Sequence, residues 1–281
     1  MINQFQHKPF LAIGICFFLI VNNLSAQQIP DGYTLTWSDE FEHDGVPNKA
    51  NWMFENGFVR NKELQWYQSE NAECKNGLLV IEARREKKPN PNFEMNSEDW
   101  RKSREVINYT SSSLKTKGLQ SFQYGIIEVR AKIKTKTGLW PAIWTLGNEG
   151  NWPANGECDI MEYYKNQILA NFAWGTKNLQ QPKWDGKKIP LSNFNDPAFE
   201  DKFHVWKLEW TEHYMRIYLD GEMLNEVMLE NTVNASDGKN PFQQPHYLLL
   251  NLAIGSNGGD PSNTKFPSSY EIDYVRVYQS N

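Results

Sequence analysis

The 281-residue sequence has few cysteines, no excess of basic charge and no apolar run long enough to cross a bilayer. Its formal net charge is −5, opposite to the basic balance of nucleic-acid-binding proteins, so we expect no nucleic-acid partner. Three cysteines, Cys16, Cys74 and Cys158, are too few for a disulfide framework. Free thiols at Cys74 and Cys158 are the favoured interpretation, and a bridge between them stays open.

The first residues have the layout of a secretory signal peptide. Lys8 precedes an apolar run from Phe10 to Val21, and the small-residue ending Leu24-Ser25-Ala26 follows. We predict a signal peptide at residues 1–26 with cleavage near Ala26, then a single domain at residues 27–281. The product is expected to be secreted, monomeric and without a membrane span.

Short runs rich in β-branched and aromatic residues recur between turn signals, and no segment shows a sustained helical period. The runs are Tyr33 to Ser38, Leu78 to Ala83, Gly125 to Ile133, Trp140 to Leu146, His204 to Trp210, Tyr214 to Leu219, Tyr247 to Ala253 and Tyr270 to Tyr278. Asp220-Gly221 predicts a hairpin turn between two of the strands. The pattern predicts an all-β sandwich or barrel.

Three polar stretches interrupt this pattern: Glu86 to Arg104, Lys177 to Asp201 and Glu230 to Gln244. Each is rich in Pro, Asn, Asp and Lys, so each is predicted to be a surface loop. Walls of a cleft and solvated segments without a task are equally open interpretations. Aromatic residues make up 14% of the chain, with 11 tryptophans, which is typical of an aromatic-lined cleft.

Three carboxylates, Glu157, Asp159 and Glu162, lie in the run Gly-Glu-Cys-Asp-Ile-Met-Glu-Tyr. A helix would not gather them on one side. On a strand, Glu157 and Asp159 share a face, but Glu162 would fall on the opposite face. A β-bulge at Ile160-Met161 would bring all three to the same face and leave Cys158 in the core.

Repulsion among three neighbouring carboxylates would raise the pKa of at least one of them, and a general acid needs such a raised pKa to stay protonated at neutral pH. Hydrolysis of glycosidic bonds uses such a pair, and the separation of the two groups decides the stereochemistry, which the spacing leaves open. A solvated outer face and a cation site are the alternatives. A carboxylate metallohydrolase site lacks nearby histidine ligands.

The motifs around this cluster extend over nearly the whole chain after residue 26. They are Trp37-Ser38-Asp39-Glu40-Phe41, Glu63-Leu64-Gln65-Trp66-Tyr67, Asn76-Gly77-Leu78-Leu79-Val80-Ile81, Tyr124 to Lys132, Gly138-Leu139-Trp140-Pro141-Ala142-Ile143-Trp144, Asn251-Leu252-Ala253-Ile254-Gly255 and Asp273-Tyr274-Val275-Arg276-Val277-Tyr278. With these motifs in this order, the chain resembles the members of glycoside hydrolase family 16, specifically those of its laminarinase-like (endo-β-1,3-glucanase) branch.

The resemblance implies a β-jelly-roll sandwich, concanavalin A-like, of two antiparallel sheets with a concave substrate cleft. It also implies a retaining endo-acting mechanism without an organic cofactor. Glu157 would be the nucleophile and Glu162 the acid/base, with Asp159 tuning both. The expected substrate is a β-1,3-glucan such as laminarin. Mixed-linkage glucan, agar- or porphyran-type galactan, mucin-type glycans and a non-catalytic lectin-like module are the alternatives.

The same resemblance implies aromatic and amide residues in the cleft. Trp140 and Trp144 would lie under the sugar at the cleavage point, and their spacing on a strand places them on one face. The further candidates for substrate binding are Asn61, Asn171, Asn251, Trp66, Asn108 and Trp174. A core pair of tryptophans and turn or bulge asparagines are the structural alternatives.

Relatives of this type often hold a structural calcium ion, and the matching positions are Glu40, the carbonyl of Gly77, and Asp273, an all-oxygen set. An ion pair of Asp273 with Arg276 is the alternative. The run Leu169-Ala170-Asn171-Phe172-Ala173-Trp174 departs from the laminarinase pattern, which has a Gly/Thr/His-containing strand there. One side of the cleft is therefore expected to differ.

Overall fold

The computed structural model describes residues 29–281, and the predicted signal peptide lies outside them. Seventeen strands run through this part of the chain. They are β1 (Tyr33–Asp39), β2 (Met53–Phe54), β3 (Gln65–Tyr67), β4 (Ala72–Lys75), β5 (Leu78–Pro89), β6 (Val106–Ser111), β7 (Ser113–Lys115), β8 (Gly125–Lys132), β9 (Leu139–Gly147), β10 (Glu157–Tyr164), β11 (Gln167–Gly175), β12 (Pro182–Pro190), β13 (His204–Trp210), β14 (Tyr214–Leu219), β15 (Glu222–Met228), β16 (His246–Ile254) and β17 (Ser268–Ser280).

Helical structure in the described residues is limited to short 3-10 turns. These are Ser69–Asn71, Leu191–Phe194, Phe199–Asp201, Leu229–Asn231 and Ser256–Gly258. None of the helices in residues 29–281 is long and apolar enough to cross a membrane.

The strands form two sheets. One has the order β15-β14-β13-β8-β17-β5-β6-β3, with β1 added beside β17 and β4 beside β5. The other has the order β12-β11-β10-β9-β16-β7-β2. Neighbouring strands are antiparallel, apart from the short parallel pair β3 and β6. This arrangement confirms the predicted all-β sandwich.

The core fills the space between the two sheets. Alternate residues of β5, β8 and β13 enter it from the larger sheet, among them Leu79, Val129 and Trp206. Alternate residues of β10 and β16, such as Ile160 and Leu250, enter it from the smaller sheet. Because every second side chain of a strand points into this core, the remaining side chains of β10 are free to line the outer face of the smaller sheet.

The hairpin prediction is confirmed, because β14 and β15 are joined by Asp220 and Gly221, both at positive φ as a tight two-residue turn requires. Two loop predictions are wrong in part. Strand β5 extends through Glu86 to Pro89, and the stretch from Lys177 to Asp201 contains the whole of β12. This strand is rich in charged residues because it is the edge of its sheet and one side of it faces solvent.

Candidate active site

A bulge in β10 brings the three carboxylates to one face. Asp159 pairs with Asn171 and Glu162 with Leu169, so three steps along β10 match two along β11. The same extra residue appears against β9. The predicted bulge at Ile160-Met161 is therefore confirmed.

The opposite face of β10 is anchored in the core. Cys158 and Ile160 are fully buried there, and Met161 at the bulge is buried as well. Cys158 and Cys74 are free thiols, as favoured from the sequence.

The carboxylates line a cavity of about 870 Å³ on the outer face of the smaller sheet. The predicted residues that line it with them are Trp140, Trp144, Asn61, Asn171 and Asn251. The structure therefore gathers in one cleft eight residues that lie far apart in the sequence. Its further lining includes Arg60, Glu63, Leu146, Trp152, Tyr164, Leu169, Trp184, Gly186, Lys188 and Asn257.

Each outer carboxylate accepts a hydrogen bond from a different indole. Trp152 Nε1 donates to Glu157 Oε2 at 2.6 Å, and Trp140 Nε1 donates to Glu162 Oε1 at 2.8 Å. These bonds hold the two carboxylates at opposite ends of the cluster.

The side-chain amide of Asn171 donates hydrogen bonds to two of the three carboxyls, those of Asp159 and Glu162. Its Nδ2 lies 3.1 Å from Asp159 Oδ2 and 3.0 Å from Glu162 Oε2, so one amide group bridges both carboxyls. Gly186 on β12 provides the space for this amide, because a Cβ there would lie 2.4 Å from Asn171 Oδ1.

Burial raises the pKa of every carboxyl in the cluster, and repulsion by neighbouring carboxylates adds to this at Glu157 and Asp159. Burial, then the charge of Glu162, raises the pKa of Glu157 to about 7. Burial also raises the pKa of Asp159 well above its usual range, and the charges of Glu162 and Glu157 add to this. The pKa of Glu162 is raised by burial, although bonds from Asp159, Trp140 and Asn171 act against it. The cluster therefore retains protons near neutral pH.

Asp159 is the most deeply buried member, and its bond to Glu162 favours the protonated form of Asp159 while favouring the ionised form of Glu162. Glu157 is favoured in its ionised form by the Trp152 bond, the bond from Asp159 and the charge of Arg60. The three carboxyls therefore share protons as one coupled group, and Asp159 is the member whose own surroundings most strongly favour the protonated form.

A second hydrogen-bonded group forms the neighbouring wall. Trp144 Nε1 donates to Asn251 Oδ1 at 2.7 Å, and Asn251 Nδ2 lies 3.1 Å from the hydroxyl oxygen of Tyr67. The guanidinium of Arg60 lies 5.1 Å from the centre of the Trp144 ring and pairs with Glu55. These contacts fix the orientation of Trp144 and Asn251.

Asn61 lies at the rim of this wall, where its Nδ2 is 3.2 Å from Glu63 Oε1 and its backbone has a positive φ. Asn61 is therefore both a turn residue and a residue that lines the cavity, so the two alternatives drawn from the sequence hold together.

Three predicted binding residues do not line the cavity. Trp174 lies three positions after Asn171 on β11, so strand alternation turns it into the core, where it is buried. Trp66 packs with Phe58 in a separate apolar cluster, and Asn108 is exposed on β6. The predictions for these three residues are wrong as to placement in the cleft.

Arg60, Trp152, Trp184 and Lys188 also line the cavity and were not predicted from the sequence. Trp152 lies just upstream of the carboxylate cluster in the chain, and this proximity was the available signal for a position near Glu157. Trp184 and Lys188 were assigned to a loop, so their alternation on one strand face was not considered.

The two carboxylates proposed as calcium ligands form ion pairs with arginines. Glu40 accepts two hydrogen bonds from Arg276, and Asp273 pairs with Arg130 rather than with Arg276. The described residues contain no group of three or more His, Cys, Asp or Glu side chains arranged to hold a metal ion. As placed, the two carboxylates do not fit a shared cation site, and calcium binding stays a prediction.

The comparisons with known proteins agree on one family. The family described as "Glycosyl hydrolases family 16" matches residues 59–276. A beta-glucanase of Rhodothermus marinus is 34% identical over 267 residues, which cover 88% of this chain and 85% of that protein.

Two solved structures show the same fold with similar sequence identity. The catalytic domain of an endo-1,3-beta-glucanase (laminarinase) from Thermotoga petrophila has a TM-score of 0.73 and 32% identity, covering 89% of this chain and 98% of that chain. A structure from work on endo-acting O-glycanases that initiate mucin breakdown, from the human gut microbiota, has a TM-score of 0.82 and 32% identity, covering 90% and 93%.

Proposed function

The chain belongs to glycosyl hydrolases family 16, and from this premise we propose that it is a retaining endo-β-glycanase whose substrate is a β-1,3-glucan of the laminarin type. The observation that carries the proposal is the shared face of Glu157, Asp159 and Glu162, with a separate indole bonded to each outer carboxylate. The relatives named as a beta-glucanase and a laminarinase support the choice of substrate.

In the proposed first step, the ionised carboxylate of Glu157 attacks the anomeric carbon and forms an ester bond to it. The bond from that carbon to the leaving oxygen breaks, and Glu162 gives its proton to that oxygen. The raised pKa of Glu162 supports this role, because the group must be protonated before attack.

In the second step, the Glu162 carboxylate takes a proton from water, and the water oxygen attacks the same carbon and releases Glu157. Two inversions retain the configuration. Asp159, whose pKa is raised well above its usual range, donates a hydrogen bond within the cluster and so favours the ionised form of whichever glutamate accepts it.

Hydrolysis of laminarin by three variants tests the assignment. Glu157→Gln and Glu162→Gln should each lower kcat by about a hundredfold or more, because each removes a group that takes part in bond breaking. Glu73→Gln, at an exposed residue of β4, is the matched control and should keep full activity. Proton NMR of the first product should show the β-anomer. An α-anomer would refute retention, and glycan binding without turnover by the wild type would indicate a lectin-like module.

A second candidate substrate is a mucin-type glycan with β-linked galactose. At the same 32% identity, the structure from the O-glycanase work has a TM-score of 0.82, against 0.73 for the laminarinase. The strand from Leu169 to Trp174 also departs from the laminarinase pattern and forms one side of the cleft. Product sizing with laminarin, mixed-linkage glucan, agarose, porphyran and mucin glycans separates the candidates. Mucin products with laminarin untouched would overturn the β-1,3-glucan assignment and leave the mechanism standing.

We further propose that residues 27–281 act as one secreted, monomeric domain after cleavage near Ala26. The apolar run before Ala26 and the main core, which both sheets share, support this. N-terminal sequencing of the exported protein and light scattering of the purified protein test it.

A further inference from the structure

The cleft face of the smaller sheet continues past β11 to the edge strand β12. Three rows of directly paired residues cross β10, β11 and β12 in that order, namely Glu157–Ala173–Trp184, Asp159–Asn171–Gly186 and Glu162–Leu169–Lys188. Neighbouring strands lie about 4.8 Å apart, so the β12 backbone runs about 10 Å from the carboxylate strand. All three β12 residues line the same cavity as the carboxylates.

Gly186 has no side chain, which leaves an opening in the row of side chains that β12 presents to the cleft, with the Asn171 amide at its base. The Asn171 amide occupies the position where a Cβ of residue 186 would lie, so no side chain rises from β12 at this row. Trp184 and Lys188 stand on either side of the opening, with Cα atoms about 13 Å apart along the strand. The opening therefore has an indole at one end and an ammonium group at the other.

Trp184 has the properties of a sugar-stacking residue. Its side chain is 47% exposed, although a tryptophan exposes a large apolar surface at a cost in free energy. Among residues 29–281 its ring has no aromatic partner and its indole donates no hydrogen bond, whereas the indoles of Trp140, Trp144 and Trp152 are all bonded within the site. Trp184 lies two positions before Gly186 on β12, and both residues line the cavity.

We propose that Trp184 is the stacking platform of a sugar-binding subsite on β12, which holds a pyranose of the substrate chain remote from the bond that is cleaved. Lys188 lies on the same face of β12 and donates hydrogen bonds to hydroxyls of the substrate chain. The inference rests on the proposed function, because the occupant is another sugar of the same glycan.

The length of the oligosaccharide substrate distinguishes an effect on this subsite from an effect on the catalytic cluster. We would measure kcat/KM for a disaccharide-to-octasaccharide series of laminari-oligosaccharides with the wild type, Trp184→Ala and Trp184→Phe. If the wild type cleaves mucin glycans instead, N-acetyllactosamine oligomers take their place. Lys187→Ala is the matched control, because Lys187 is exposed on β12 and points to the opposite face.

Trp184→Ala should lower kcat/KM about three- to tenfold for the longer oligosaccharides and leave the shortest cleaved substrate unchanged. Trp184→Phe should recover most of the loss, and Lys187→Ala should match the wild type. An equal loss at every chain length, or no loss at any, would overturn the inference.

Binding of the same oligosaccharides to the inactive Glu157→Gln protein, with and without Trp184→Ala, provides a readout that needs no turnover. A loss of affinity confined to long chains would support the subsite even if the wild type proves to be a binding module. Equal affinities in the two proteins would refute it even if the wild type is an active hydrolase.

Discussion

Replacing Trp152 with phenylalanine should move the acidic limb of the pH–activity profile to higher pH. The substitution keeps an aromatic ring but removes the indole N–H that donates to Glu157 Oε2 at 2.6 Å. This bond favours the ionised carboxylate and so opposes the burial that raises the pKa of Glu157 to about 7. Its loss raises that pKa further, and a nucleophile that must be ionised is then inactive up to a higher pH.

The size of the effect follows from the type of bond. Hydrogen bonds to charged groups contribute about 1.5–3 kcal/mol, and because Trp152 is 44% exposed, the lower end of that range applies. About 1.4 kcal/mol corresponds to one pH unit, so the acidic limb of kcat/KM should rise by about one unit from its wild-type position near pH 7.

Trp140→Phe is the matched control for this measurement. It makes the same chemical change but removes the bond to Glu162 Oε1 at 2.8 Å. The pKa of Glu162 should rise as well, but this group acts in its protonated form, so the alkaline limb should move to higher pH. An acidic limb that stays fixed or moves to lower pH in Trp152→Phe, or a Trp140→Phe profile that shifts only its acidic limb, would refute the assignment of nucleophile and acid.

Three further outcomes can be checked on the same protein. Gly186→Ala places a methyl group 2.4 Å from Asn171 Oδ1 and should lower kcat about tenfold by displacing that amide, with an unchanged far-UV circular dichroism spectrum to show an intact fold. Ile160→Ala removes a fully buried side chain at the bulge and should lower the free energy of unfolding by about 2–5 kcal/mol in a denaturant titration. Exchange of calcium for EDTA should leave Tm unchanged because Glu40 and Asp273 pair with arginines, and a rise of several degrees with calcium would show that the sequence-based prediction was right.

The bulge in β10 could be predicted because two sequence signals conflict. Cys158 and Ile160 alternate as core residues on a regular strand, whereas Glu162 stands on the wrong parity for Glu157. An inserted residue resolves both constraints, and the structure has that residue. The same alternation of side chains explains why the prediction for Trp174 was wrong. Trp174 lies three positions after Asn171 on β11, so it points to the opposite face of the sheet, into the core.

Arg60 and β12 could not be predicted in the same way. Arg60 reaches the cleft through a contact with Trp144, 84 positions later in the chain, and no local period encodes such a contact. Strand β12 is the edge of its sheet and none of its residues is fully buried, so polar residues occupy both of its faces. Its composition is therefore that of a loop, although its backbone pairs with β11 along its full length.

The catalytic carboxylates lie on β10, in the middle of the sheet, whereas Trp184 and Lys188 lie on the edge strand β12. The reaction and the choice of glycan therefore depend on different strands. Strand β10 is held by a neighbour on each side and by Cys158 and Ile160 in the core, so a change there disturbs both fold and catalysis. Strand β12 has one neighbour and an exposed outer side, so Trp184 and Lys188 can change without disturbing the carboxylates. Substitutions of Trp184 and Lys188 should therefore alter the preferred glycan or its length before they alter the pH profile set by Glu157 and Glu162. Gly186 is different, because it makes room for the Asn171 amide that bonds two of the carboxyls.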